Sequence, residues 1–152
     1  YPMRKVVDLF RLDSLFRCPT IDYVKKRAER NNCTYSYLFN LDQPIDGGST
    51  PWHCSDIPYV FHNTELVPST QKVGVTERVE NEIFECVMSF ARTGKPQMNN
   101  IPTWKTSGKD EYTMVFDENT HLEKNFDHEL QKLFSKEMES RLSEINSGQI
   151  QH

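Results

Sequence analysis

The chain has 152 residues, of which 36% are hydrophobic and 11% aromatic, which is enough for one globular core and too few for two domains. A formal net charge of -4 gives no basic surface for a phosphate backbone, so nucleic acid is not expected as a partner. The longest apolar runs fall far short of the roughly 20 residues that span a bilayer, so a membrane is not expected either. Because the chain opens on Tyr1-Pro2, we interpret it as part of a longer polypeptide.

The first third of the chain predicts two helices and a strand. Met3 to Phe16 is dense in apolar residues and predicts a largely buried helix that is stopped by Pro19. Thr20 is then a candidate N-cap for a second helix. The apolar side of that helix consists of Ile21, Val24 and Ala28. The aromatic run from Thr34 to Asn40 predicts a strand, and the proline- and glycine-containing stretch Leu41 to Trp52 predicts a loop.

The remainder of the chain predicts two amphipathic helices around a short strand. The first helix begins near Thr76 and is expected to stop at Gly94, which Pro96 follows. Tyr112 to Phe116 predicts the strand. The last helix is expected from about Asn125, with a fraying tail beyond Ser147. Its predicted apolar stripe comprises Phe126, Leu130, Leu133, Phe134, Met138, Leu142 and Ile145.

The four cysteines are scattered without paired spacing in a chain too large to need disulfides for stability. We therefore interpret them as reduced thiols and expect a cytoplasmic location, with secretion left open. The cysteines are Cys18, Cys33, Cys54 and Cys86.

His53 is the residue whose position most suggests chemistry. It follows the predicted strand and loop, and a compact aromatic and apolar run from Ile57 to Phe61 comes after it. An imidazole has an ordinary pKa of about 6.5 and can act as base and acid near neutral pH. Position alone does not distinguish a catalytic histidine from an ordinary surface or core histidine.

The segment beginning at His53 resembles the histidine loop of the type-B carboxylesterase and cholinesterase family. In that family a histidine is followed by a small residue, a variable residue, an acid and an aliphatic-x-aromatic-Val/Ile-Phe run. The positions that fit are His53, Cys54, Asp56, Ile57, Tyr59, Val60 and Phe61.

A second block, Ser89 to Pro96, resembles the family's Phe-Ala-x-x-Gly-x-Pro signature. The resemblance extends over most of the chain and implies the C-terminal part of an α/β-hydrolase fold, that is, the last strands of the sheet with flanking helices. Residues 1–152 would then be a C-terminal fragment of a single catalytic domain.

By this resemblance, His53 is the histidine of a Ser-His-Glu/Asp triad, and Asp56 is an acid that supports it. The orienting acid and the nucleophilic serine are expected upstream, because chain order in α/β-hydrolases runs serine, acid, histidine. The sequence contains no G-x-S-x-G motif. Gly47 to Pro51 comes nearest and fails because Pro51 stands at the second glycine. Asp56 could alternatively be only a helix cap.

The sequence departs from the family pattern beside the histidine. Cys54 replaces a glycine found in many relatives, and a packed or weakly reactive thiol is favoured over a nucleophile there. His62-Asn63 replaces Phe-Gly, which is expected to affect the rim of the site. A metal site built from His53, Cys54, Asp56 and His62 is disfavoured by the irregular spacing, so no metal and no cofactor is expected.

Two functions remain open at the level of sequence. The resemblance implies a carboxylesterase, a serine hydrolase whose substrate is a small-molecule ester and in which this chain contributes the histidine but is inactive alone. The alternative is a fragment of a non-catalytic esterase-like binding or adhesion protein. Either way, the partners expected are the N-terminal remainder of the same protein and, for the isolated fragment, further copies of itself.

Overall fold

The computed structural model describes residues 12–126 and 128–146. Most of the predicted first helix therefore lies outside the described residues, as does the tail beyond Ser147. The elements in chain order are a π-helical turn Asp13–Arg17, helix α1 (Cys18–Ala28), strand β1 (Ser36–Phe39), the short helix α2 (Ile57–Val60), helix α3 (Thr76–Thr93), strands β2 (Tyr112–Phe116) and β3 (His121–Lys124), and helix α4 (His128–Asn146).

Pro19 does not separate two helices, and that prediction is wrong. Helical backbone continues from Leu12 to Ala28, with Pro19 in the first turn of α1. The turn before it is π-helical, and the Cys18 N–H bonds to the Asp13 carbonyl five residues back. The wider turn accommodates a proline, whose missing N–H and ring disturb regular α-helical bonding. Thr20 is accordingly inside the helix and is not its N-cap.

The three strands form a mixed sheet in the order β1-β2-β3. β1 runs parallel to β2, with Tyr37 opposite Met114, and β2 runs antiparallel to β3. The predicted strands at Thr34 to Asn40 and Tyr112 to Phe116 are confirmed. β3 was not predicted, because its sequence His-Leu-Glu-Lys has no strong strand propensity. It forms a strand because β2 lies beside it.

The hydrophobic core lies between α3 and one face of the sheet. Its members alternate with residues of the opposite face along β2, as the period of a strand requires. The buried core side chains are Phe39, Leu41, Tyr59, Val79, Ile83, Met114 and Phe116. With helices beside a partly parallel sheet, the architecture is α/β, as predicted.

Helix α3 confirms the prediction made from its periodicity. It ends at Gly94, which adopts the left-handed conformation with φ 73° and donates its N–H to the Phe90 carbonyl. Its buried acids are paired: Glu80 accepts a bond from the Thr64 N–H at 2.8 Å, and Glu82 pairs with Arg78 at 2.7 Å. No helix in the described part of the chain combines the length and apolar character needed to cross a bilayer.

Helix α4 begins slightly later than predicted, at His128, so Phe126 precedes the helix. The helix packs against α1, where Lys25 Nζ donates to Gln131 Oε1 at 2.6 Å. Leu133, a member of the predicted apolar stripe, is 65% exposed. At this position the stripe is therefore not covered by any described part of the chain.

Candidate active site

The loop after β1 carries the chain from the carboxyl end of the strand to His53. Leu41 is buried just beyond the strand, and the Gln43 side chain donates to the Leu41 carbonyl at 2.9 Å. The backbones of Gln43 and Ser49 exchange two hydrogen bonds of 2.8 Å, so the loop folds back on itself. Apart from this bridge and a short 3-10 turn at Ile45–Gly47, the loop is irregular, as predicted.

His53 is exposed and lies on the wall of a cleft. One face of its imidazole stacks on Phe16, with ring centroids 4.4 Å apart and planes inclined by 11°. Phe16 belongs to the π-helical turn, so the unusual turn that accommodates Pro19 also places an aromatic ring over the histidine. Stacking engages a face of the ring and leaves the edges that carry the nitrogens available for proton transfer.

The turn that carries His53 is held by backbone hydrogen bonds. Ser55 N–H bonds to the Trp52 carbonyl at 3.0 Å, and Ile57 N–H bonds to the Cys54 carbonyl at 3.2 Å. Cys54 has a φ of 70°, in the left-handed region that favours glycine. This conformation gives a physical reason for the glycine that the family pattern has there.

The short helix after the turn anchors it to the core. Tyr59 is fully buried and its ring lies 4.8 Å from that of Phe39. Its hydroxyl donates to the Thr70 carbonyl at 3.4 Å. Removal from water is the largest cause of the raised pKa of the Tyr59 phenol, which keeps it a neutral donor. The aromatic and apolar run after His53 thus serves as an anchor.

Asp56 is bonded to the strand from which the loop departs. Its Oδ2 accepts a hydrogen bond from the Tyr37 hydroxyl at 2.6 Å. Asp56 occupies the N-cap position of α2, yet its side chain makes no capping bond there. Partial burial, and then the hydrogen bond to Asp56 and its negative charge, raise the pKa of the Tyr37 phenol, so the hydroxyl remains a donor.

The cleft beside His53 has a volume of about 310 Å³. One wall is formed by β1 together with Glu111 and Thr113, the second is the segment from Pro51 to Asp56, and the third is the helical segment around α1. Apolar surface predominates in the cleft, and its lining includes Phe16, Ile21, Trp52 and Phe126. An imidazole on the wall of a mostly apolar cleft can transfer a proton to or from a reacting group held in the cleft.

Other residues considered from the sequence do not join this group. Ser49 and His62 are not among the residues lining the cleft, and His62 instead bonds to Asn81 on α3 at 2.9 Å. Burial raises the pKa of the Cys86 thiol to about 12, which makes it unreactive. Among residues 12–126 and 128–146, no three histidine, cysteine or acidic side chains gather as a possible metal site.

Comparison with known proteins decides the family. The model of the carboxylesterase family matches residues 2–137, nearly the whole chain. The chain belongs to the carboxylesterase family. A solved esterase from Clostridium hathewayi, described as able to hydrolyse aliphatic aromatic polyesters, is 43% identical and superposes with a TM-score of 0.79 over 90% of this chain and 27% of its own.

Two further relatives have lower sequence identity. A Geobacillus stearothermophilus carboxylesterase is 27% identical, with a TM-score of 0.54 over 66% of this chain and 21% of its own. Phenmedipham hydrolase from Pseudarthrobacter oxydans is 29% identical over 105 residues, or 65% of this chain and 21% of that protein. The chain thus spans about a quarter of the length of these relatives, and its fold is the matching part of an α/β-hydrolase.

Phe16 and Tyr37 contact the residues of the candidate site, and neither was predicted to do so from the sequence. Phe16 was assigned only to a buried helix, and Tyr37 only to a strand. Tyr37 and Asp56 are 19 residues apart, so their contact depends on how the intervening loop folds. One feature of the sequence could have pointed to Tyr37: it is an aromatic residue with a hydroxyl group, in the strand that leads into the histidine loop.

Proposed function

We propose that the intact protein, a longer polypeptide of which this chain is the C-terminal part, hydrolyses carboxylic esters with His53 as the histidine of a Ser-His-Glu/Asp triad. The observation that carries the proposal is the position of the His53 imidazole, on the wall of the cleft and beyond the carboxyl end of a parallel strand. Ligands of open α/β sheets bind at the carboxyl ends of the strands. Membership of the carboxylesterase family supports the same reaction.

In this mechanism the imidazole moves a proton twice in each half-reaction. It accepts the proton of a serine hydroxyl as the serine oxygen attacks the ester carbonyl, whose electron pair moves to the oxyanion. It then donates that proton to the alkoxide as the carbon–oxygen bond breaks and the alcohol leaves. In the second half-reaction water attacks the acyl-serine with the same two proton transfers, and the carboxylic acid product leaves the regenerated serine. The serine and the orienting acid would come from the remainder of the protein.

Aryl and alkyl carboxylic esters are the substrates to test first. The side chains that line the cleft include Phe16, Trp52 and Phe126, which suit apolar acyl or aryl groups. A polyester with aliphatic and aromatic parts is the substrate described for the Clostridium hathewayi relative. A p-nitrophenyl ester combines an aromatic leaving group with a simple optical readout.

The test compares His53→Ala with His121→Gln in the intact protein. His121 is an exposed histidine of β3 that lies outside the cleft, so it is a matched control. Loss of the triad base is expected to lower kcat by at least about 1,000-fold, since triad members act as a unit. His121→Gln is expected to leave kcat within about twofold. Turnover that survives in His53→Ala would overturn the proposal.

The 152-residue chain alone is expected to release no p-nitrophenol above background, because it contains no nucleophile elbow. Turnover by the isolated chain that is lost in His53→Ala would contradict this division of the triad. The competing possibility is that the intact protein is a non-catalytic, esterase-like binding protein. Absence of a G-x-S-x-G motif from the intact protein, together with absence of ester turnover, would indicate this.

We also propose a cytoplasmic location for the intact protein. The proposal rests on the four cysteines, of which Cys18 and Cys86 are buried thiols and Cys33 and Cys54 exposed ones. Exposed free thiols are typical of a reducing compartment. Fractionation of the producing cells tests this, since recovery of the protein from the culture medium would contradict it.

A further inference from the structure

Tyr37 joins strand β1 to the turn that carries His53. We propose that Tyr37 is a positioning residue, which holds the catalytic imidazole in place by hydrogen bonding to Asp56. The bond runs from the Tyr37 hydroxyl to Asp56 Oδ2 and is 2.6 Å long. The inference rests on the proposed function, because it assigns Tyr37 a role only if His53 transfers protons.

Tyr37 is well suited to act as a fixed support. Its backbone is paired in the middle of β1, opposite Met114. Its ring packs edge-to-face against Trp104 and Phe116, with centroid separations of 6.3 and 5.9 Å. A ring held on two sides has little rotational freedom, so its hydroxyl occupies a defined place at the edge of the cleft.

Asp56 transmits this position to the turn. The carboxylate is not used as a cap of α2, although the residue stands at its N-cap. The Asp56 carbonyl accepts the Tyr59 and Val60 N–H groups at 3.0 Å, which ties the same residue to the anchored helix. Asp56 is therefore held from both sides, by the strand through its side chain and by α2 through its backbone. An ionised acceptor makes the side-chain bond stronger than one between neutral groups.

The turn needs such a support because its own backbone is strained. Cys54, next to His53, holds a left-handed conformation that costs free energy for any residue with a Cβ. Release of Asp56 would let residues 53–56 relax towards ordinary backbone angles. A displacement of about 1 Å at a catalytic group can lower the rate about 100-fold. The hydroxyl of Tyr37 thus acts on the rate through the position of the imidazole.

The test is Tyr37→Phe in the intact protein, which removes the hydroxyl and keeps the ring. We expect kcat to fall about 10- to 100-fold with little change in KM, because the catalytic group and not the substrate is displaced. The matched control is Tyr35→Phe. Tyr35 also packs on Trp104, at 6.1 Å, and lies two residues earlier. It is expected to leave kcat within about twofold.

Variants of Asp56 separate positioning from charge and from folding. Asp56→Asn keeps an oxygen that accepts the Tyr37 bond, so it is expected to retain more activity than Asp56→Ala. The double variant Tyr37→Phe with Asp56→Ala is expected to be no slower than Asp56→Ala alone, since both changes remove the same bond. If the two substitutions instead lower kcat independently, so that the loss in the double variant is the product of the two single losses, the proposal is overturned.

Nuclear magnetic resonance of 15N-histidine-labelled intact protein gives a readout independent of turnover. The His53 ring signals are expected to shift or broaden in Tyr37→Phe and to stay unchanged in Tyr35→Phe. If His53→Ala abolishes turnover while Tyr37→Phe leaves both kcat and the His53 signals unchanged, the positioning role fails and the proposed function stands. If His53→Ala remains active, the proposed function itself fails.

Discussion

His62 lies at the far end of the histidine loop, against helix α3. Its Nε2 is 2.9 Å from Asn81 Oδ1, and its Nδ1 is 4.0 Å from the buried Glu80 carboxylate. The bond to Asn81 raises the pKa of His62 most, and the charges of Glu80 and Glu65 raise it further, while desolvation opposes them. Protonated His62 therefore links the loop to α3 more strongly than the neutral ring does.

Because the pKa of His62 is raised in the folded state, the contribution of His62 to the free energy of unfolding depends on pH. This contribution is fully present below the unfolded pKa of about 6.5 and is lost as pH rises through the higher folded pKa. We expect His62→Asn to destabilise the intact protein by a few tenths to about 1 kcal/mol near pH 5.5, because the His62 ring is exposed to solvent, which screens its interactions. The difference should shrink by pH 8.5. Asparagine suits the φ of 53° at this position.

Urea unfolding at several pH values measures this difference, and Glu80→Gln provides the control. The glutamine keeps an oxygen for the Thr64 N–H but removes the charge facing His62. In that background the pH-dependent difference should become smaller without disappearing, because Asn81 remains. A difference between wild type and His62→Asn that is constant from pH 5.5 to 8.5 would contradict the linkage.

At the residue scale, the sequence predicted less of the site than of the fold. His53 was selected because a loop and a family pattern converge on it, and the structure places it in a cleft. Its catalytic role and the supporting role of Asp56 stay predictions. The contacts of His53 with Phe16 and of Asp56 with Tyr37 could not be predicted, because each joins segments whose approach depends on tertiary folding.

Helix α3 shows how far local sequence can determine an element. Its apolar period predicted the helix, and Gly94 predicted its end. Pro19 misled the same reasoning because proline stops a regular α-helix, whereas here a π-helical turn accommodates it. β3 was missed because its strand structure comes from pairing with β2 and not from the propensity of its own residues.

The end of α3 gives a prediction at this scale. No atom lies within 4 Å of a Cβ added at Gly94, so Gly94→Ala meets no steric clash. Its cost comes from the left-handed backbone alone, and we expect a loss of about 1 kcal/mol in the free energy of unfolding. The measurement is the urea midpoint of the intact protein.

Gly108→Ala is the matched control for Gly94→Ala. An added Cβ at Gly108 also has open space, and φ at Gly108 lies outside the left-handed region. We expect this variant to be neutral or slightly stabilising, because alanine restricts the unfolded chain. Equal urea midpoints for the two variants would show that the left-handed conformation of Gly94 does not matter for stability.

For the whole molecule, the outer edge of β1 is the most consequential surface. Within the described residues β1 pairs with β2 alone, and residues 36–40 line the cleft. Parallel strands normally lie inside a sheet with neighbours on both sides, and an unpaired edge is a template for another strand. Phe16 and Trp52, each 43% exposed, border the same cleft. We infer that a strand from the remainder of the intact protein pairs with the free edge of β1.

The isolated chain is therefore expected to self-associate. At micromolar concentration, sedimentation velocity should show dimers or larger species in place of a single monomer, since an exposed parallel edge and the apolar groups beside it remain uncovered.

Leu38→Lys places a charge on the β1 edge and should shift the distribution towards monomer, because edge charges oppose strand pairing. Lys26→Leu, on an exposed position of α1 away from the cleft, serves as the charge-removal control and should not produce that shift. A folded monomer of the unmodified chain at these concentrations would mean that the β1 edge does not need a partner, and that the rest of the protein is not required to cover it.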